Sequence, residues 1–133
     1  MKKYLLIVTV LLLGLMLPRV AAAQSTLTFE VNVADEITSG EFDPATDSVL
    51  LFGNKSPLSM VSGTSMTEGT VVDSVYTVTV SFPGSVVGEN LQFRFGMVTT
   101  DSSWTENLDP PRKATLSSGE RDLNLFYFDT PSW

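Results

Sequence analysis

Apolar and polar positions alternate along much of this chain. In TLTFEVNV (26–33), Leu27, Phe29, Val31 and Val33 share one phase and Thr26, Thr28, Glu30 and Asn32 the other. That is the mark of a strand with one face in a core and one in water. VYTVTVSF (75–82) repeats the pattern, with Tyr76, Val78, Val80 and Phe82 in the apolar phase, until Pro83-Gly84 stops it. LQFRFGMV (91–98) does so again through Leu91, Phe93, Phe95 and Met97, which leaves Gln92 and Arg94 on the polar face. SVLLFGN (48–54) is apolar in both phases and closes on Gly53-Asn54, which predicts a central strand running into a turn. DLNLFYFD (122–129) is the last clear strand. The stretch around Leu58 to Val61 and the segment RKATL (112–116), which follows the turn-forming Pro110-Pro111, are weaker candidates.

No window of about eleven residues sustains a helical period, and Gly, Ser, Thr, Asp and Pro interrupt the chain at short intervals. The pattern predicts an all-β protein, an antiparallel β-sandwich of about seven or eight strands. Two segments read as connections, ADEITSGEFDPATD (34–47) and KSPLSMVSGTSMTEGTVVDS (55–74). The second is long for a compact domain, which predicts a hidden short strand or an exposed binding loop within it.

The amino terminus departs from this pattern. Lys2 and Lys3 precede an apolar run from Tyr4 to Leu17, then Pro18, Arg19 and small residues, with Ala21 and Ala23 placed for cleavage before Gln24. Residues 1–23 read as a secretory signal peptide. The apolar run is shorter than the roughly 20 residues of a spanning helix, and no cysteine is present to take a lipid. The expectation is an exported, secreted or periplasmic bacterial protein, with residues 24–133 as a single domain.

The leader holds three of the eight basic residues and none of the fifteen acidic ones, so the remainder has five against fifteen, a net charge of −10. Such a surface repels nucleic acid and anionic membrane. With no cysteine, the domain must hold by packing alone. With no histidine either, Ser-His-Asp and Cys-His nucleophilic sites, the usual zinc sets and a histidine switch are excluded. Glu41, Asp43 and Asp47 form a scattered acidic group that lacks the spacing of an EF-hand calcium loop. Among the fifteen acids the sequence singles out no pair for glycoside hydrolysis. The expectation is therefore a protein that is not an enzyme and needs no cofactor.

The order of landmarks is LTFEVNV, EFDPATDSVLLFGN, VYTVTVSF, then Phe93-Arg94-Phe95, Trp104 with Glu106, Arg112, and a closing LFYFD. This order resembles the starch-binding-like carbohydrate-binding modules of exported bacterial proteins over nearly all of residues 25–129. The resemblance implies an Ig-like sandwich with an exposed α-glucan site built from two aromatic plates and a basic or amide side chain. KSPLSM (55–60), where the family usually places a second tryptophan, has no aromatic. Glu106 also stands one residue late, and Pro110-Pro111 replaces the usual Asn before Arg.

A pyranose needs a flat aromatic against its C–H face and planar polar groups around its hydroxyls. Trp104 suits the first role, and Arg94, Glu106 and Asn107 the second. Each also has a structural reading: Trp104 as a cap on the sandwich, Arg94 in a cross-strand pair, Arg112 as a scaffold residue, Glu106 and Asn107 as solvated loop residues. The expected partner is an oligosaccharide or polysaccharide. The alternative is a structural or protein-interaction sandwich that has lost the sugar.

Overall fold

The computed structural model describes residues 23–69 and 74–131; the expected leader lies outside them but for its last residue, and so does Trp133. In chain order the elements are β1 (Ser25–Asn32), α1 (Ala34–Ser39), β2 (Ser48–Gly53), β3 (Thr64–Ser65), β4 (Thr67–Glu68) and β5 (Val75–Phe82). A 3-10 turn at Gly84–Val86 follows, then β6 (Asn90–Val98), β7 (Ser103–Thr105), β8 (Arg112–Thr115), β9 (Gly119–Asp122) and β10 (Phe126–Tyr127).

The alternation predicted from sequence sets the two layers. In β1 every second residue from Ser25 to Val31 is buried, and in β6 Leu91, Phe93, Phe95 and Met97 are buried against it. Sheet A has β1 at its centre, antiparallel to β5, with β4 beyond β5. Sheet B has β2 and β6 at its centre, with β3 on the far side of β2 and both β7 and β8 along the other edge of β6. Aromatic rings join the layers edge to face: Phe29 of sheet A meets Phe93 of sheet B at 5.1 Å, and Phe126 meets Phe93 at 5.5 Å. The fold is an all-β sandwich.

Three details differ from the sequence expectation. Among the described residues the strands number ten, not seven or eight, with β3 and β4 as two-residue bridges inside the long 55–74 connection. The sandwich is not wholly antiparallel: β9 and β10 both run parallel to β1, with Ser25 opposite Gly119 and Val31 opposite Phe126. Alternation marks which face a residue takes and carries no strand direction, so this return was invisible in the pattern. The segment 122–129 is also broken, with Asp122 ending β9 and only Phe126–Tyr127 in β10.

The 34–47 connection holds α1, too short to register as a helical period. Asp35 and Glu36 occupy its first turn, and Gly40 at φ 79° ends it, donating its N–H to the Glu36 and Ile37 carbonyls. Ile37 packs on the core, and Phe42 is buried edge-on to Tyr76 at 5.7 Å. In the same connection Asp47 Oδ2 accepts the Asp43 N–H at 2.8 Å and Asp43 Oδ1 accepts the Ala45 N–H at 2.9 Å. These carboxylates are turned onto their own loop, and Glu41 is not drawn into the same bonds.

Candidate functional site

The expected ligand residues lie along β6 and β7 and just beyond. Met97 and Trp104 are register partners, and residues directly opposite in an antiparallel pair share a face. Met97 is 1% exposed, so Trp104 stands on the core side, at the edge strand. It is half-buried and packs against the core cluster. The indole is part of the hydrophobic layer, on the face of β7 opposite to that of Ser103 and Thr105.

Glu106 is corrected more sharply. It is fully buried, and its position in the gap between β7 and β8 explains why. The N–H of Phe95 would have no ladder partner there, and Glu106 Oε2 accepts it at 3.0 Å while the Glu106 N–H donates to the Phe95 carbonyl at 3.0 Å. Arg112 stands opposite Phe93, on the same inner side. Its Nη2 donates to Glu106 Oε1 at 2.5 Å and its Nε to Oε2 at 3.0 Å. Its guanidinium lies over the rings of Phe126 and Phe95, at 4.8 and 5.5 Å from their centroids.

The pair also holds the end of the chain. Arg112 Nη2 donates to the carbonyls of Tyr127 and Thr130, and the Asp129 N–H donates to Glu106 Oε1 at 3.0 Å. Glu106 is therefore a clasp between sheet B and the segment carrying β10, and its carboxylate is unavailable to a sugar.

Arg94 projects from the outer face of sheet B, opposite Phe52. Its Nη1 donates to the Glu106 carbonyl at 3.3 Å, and its Nε is buried without an acceptor. Asn107 is exposed, with its own N–H bonded to Asp129 Oδ1 at 2.8 Å. Of the four expected residues, Asn107 is exposed, Arg94 is half-buried on the outer face, Trp104 is half-buried on the core side, and Glu106 is buried in its ion pair.

On the outer face of sheet B lies an open depression of about 380 Å³. Leu50, Phe52, Val61, Ser103 and Thr105 line it, together with the backbone of Trp104, whose carbonyl lies against Gly96. Two glycines set the position of Phe52. A Cβ on Gly96 would stand 2.8 Å from Phe52 Cε2, and one on Gly63 would stand 2.8 Å from Phe52 Cζ. The ring lies against bare backbone on both sides. Met60, Val61 and Val98 add exposed apolar surface, at 49%, 90% and 39%.

Phe52 was missed in the sequence because SVLLFGN is apolar in both phases and reads as buried on both faces. The available signal was its phase: Val49 and Leu51 point inward, so Phe52 belongs to the face that carries Arg94. A second cavity, of about 300 Å³, lies by Asp109, Pro110, Pro111, Lys113 and Phe126. Among the described residues no three His, Cys, Asp or Glu side chains converge as metal ligands.

No protein-family model matches the sequence, and no curated protein matches it. Solved structures do match by shape. One is the γ-CGTase of alkalophilic Bacillus clarkii, with a TM-score of 0.61 at 20% identity over 80% of this chain. The chain spans 15% of the length of that enzyme. At this identity the likeness establishes the sandwich fold.

Proposed function

We propose that this domain is a non-catalytic carbohydrate-recognition module, with an α-glucan as its preferred ligand. The observation that carries the reading is the open depression on sheet B, where Phe52 is joined by the hydroxyl-bearing Ser103 and Thr105. A shallow apolar floor with hydroxyls at its border suits the C–H face of a sugar ring. Arg94, register partner of Phe52, is the nearest cation to that floor along the strand pair. Support also comes from a fold neighbour whose name denotes a cyclodextrin glycosyltransferase. Phe52 takes the place of the aromatic that KSPLSM lacks.

The depression is open, and the buried carboxylate nearest to it, Glu106, is fully bonded. Such a surface binds without positioning a general acid, which favours recognition over hydrolysis. The test is isothermal titration with maltooligosaccharides of the protein and of Phe52→Ala. Saturable heat that disappears in a folded Phe52→Ala protein supports the reading, and absence of heat with every glucan overturns it. The rival reading, a protein-interaction sandwich, draws on the exposed Met60 and Val61 beside the same floor.

A further inference from the structure

The edge of β5 is half covered. On β1, the Thr28 carbonyl accepts from Leu123 N–H and the Asn32 carbonyl from Phe128 N–H, so its even-numbered residues turn their peptide groups away from β5. Its odd-numbered residues then bond β5, and the register pairs them with Tyr76, Val78 and Val80. The odd-numbered residues of β5 face the opposite edge. There the Val75 carbonyl accepts the Gly69 N–H and the Thr77 carbonyl accepts Thr67 Oγ1. β4 ends its pairing at Thr77. Among the described residues, the peptide groups of Thr79 and Ser81 have no partner on that edge, and both residues are exposed.

Proteins protect such edges with lysine, proline or inward-pointing charge. No residue from Ser74 to Phe82 is charged, and the first proline, Pro83, comes after the open stretch. We propose that this edge pairs antiparallel with the same edge of a second copy of the chain, across a two-fold axis at Val80. The register follows from elimination. An axis at Thr79 would require Thr77, already taken by β4, and an axis at Ser81 would require the N–H that Pro83 lacks.

With the axis at Val80, Thr79 meets Ser81 of the other copy and all four free groups of each edge are used between them. The outer face then continues a ladder already present within the chain, where Thr28 Oγ1 lies 3.0 Å from Thr79 Oγ1 and Thr26 Oγ1 lies 3.0 Å from Ser81 Oγ. No charges oppose one another within the paired stretch. Overall self-repulsion from the acidic surface still acts, so the dimer is weak, depends on concentration and strengthens with salt.

Sedimentation velocity over a dilution series at high salt, with hydrogen exchange at the Thr79 and Ser81 amides, tests this. The expected result is a concentration-dependent monomer–dimer shift and slowed exchange at those two amides as dimer forms. Thr79→Pro removes an N–H that the fold does not use, and it should stay monomeric with an unchanged circular-dichroism spectrum. Should that variant fail to fold, Thr79→Lys, which sets a cation on each side of the axis, must give the same loss. A protein that is monomeric at every concentration overturns the proposal. So does a dimer that survives these substitutions.

Discussion

Arg112 and Glu106 form an ion pair closed on every side, with side chains 3% and 0% exposed and Nη2 to Oε1 at 2.5 Å. Each oxygen of Glu106 accepts a backbone N–H besides the arginine, from Phe95 and Asp129, which draws one strand of sheet B and the carboxy-terminal segment onto the same carboxylate. Removing either partner leaves the other charge buried. Glu106→Gln and Arg112→Met should each cost about 3–5 kcal/mol, read by urea denaturation. The double variant Glu106→Leu/Arg112→Met should recover part of that loss. A Glu106→Gln protein of unchanged stability would show that the clasp contributes nothing.

Gly96 supports Phe52 at the depression. Alanine there would bring Cβ to 2.8 Å from Phe52 Cε2 and 3.0 Å from the Trp104 carbonyl. Gly96→Ala should cost about 1–3 kcal/mol and weaken glucan binding by moving the ring. In Gly96→Ala/Phe52→Leu the ring contact is relieved, so part of the stability returns while binding does not.

Trp104 acts as a packing residue at the edge of the core. Trp104→Ala opens the core edge beside Met97 and should cost about 2–4 kcal/mol, less than a fully buried tryptophan because the residue is half-exposed. Trp104→Phe keeps much of that packing. Because the indole faces the core, glucan affinity, measured by titration calorimetry, should also stay near wild type; lowered affinity at unchanged stability would show that the indole contacts the sugar.

Glu36 gives a pH dependence of unusual sign. Desolvation raises its pKa above the ordinary carboxylate value of 4.5, and Asp35, Asp129 and Glu41 add to the shift. A carboxyl that holds its proton more tightly when folded favours the native state at acid pH. That contribution is full below 4.5 and is lost as pH rises through the folded-state value. Glu36→Gln should therefore raise the melting temperature at neutral pH and leave it unchanged at pH below the carboxylate range. A variant that melts lower at pH 7 would show that the ionised carboxylate makes a net favourable contact.

Much of the sandwich was legible in the chain. The faces of β1, β5 and β6 followed from alternation because burial and exposure alternate strictly along a pleated strand. The candidate site was legible only in part. Trp104 and Arg94 stood out by residue type, yet the same types serve a core edge and a sugar floor equally well, and Phe52 was hidden in a run apolar in both phases. Glu106 looked like a loop acid because its charge partner is six residues on and its other donors, Phe95 and Asp129, come from separate strands and segments.

The amino-acid order alone determined that this is a cysteine-free, histidine-free, acidic all-β chain, and it assigned most core positions, since those depend on composition and on the two-residue period. Tertiary structure alone decided the parallel return of β9 and β10 along β1, the burial of Glu106 against Arg112, and the glycine seat of Phe52. Each of those is a meeting of residues distant along the chain or across strands. Local periodicity records which way a side chain points, and only the packed layers determine what it points at.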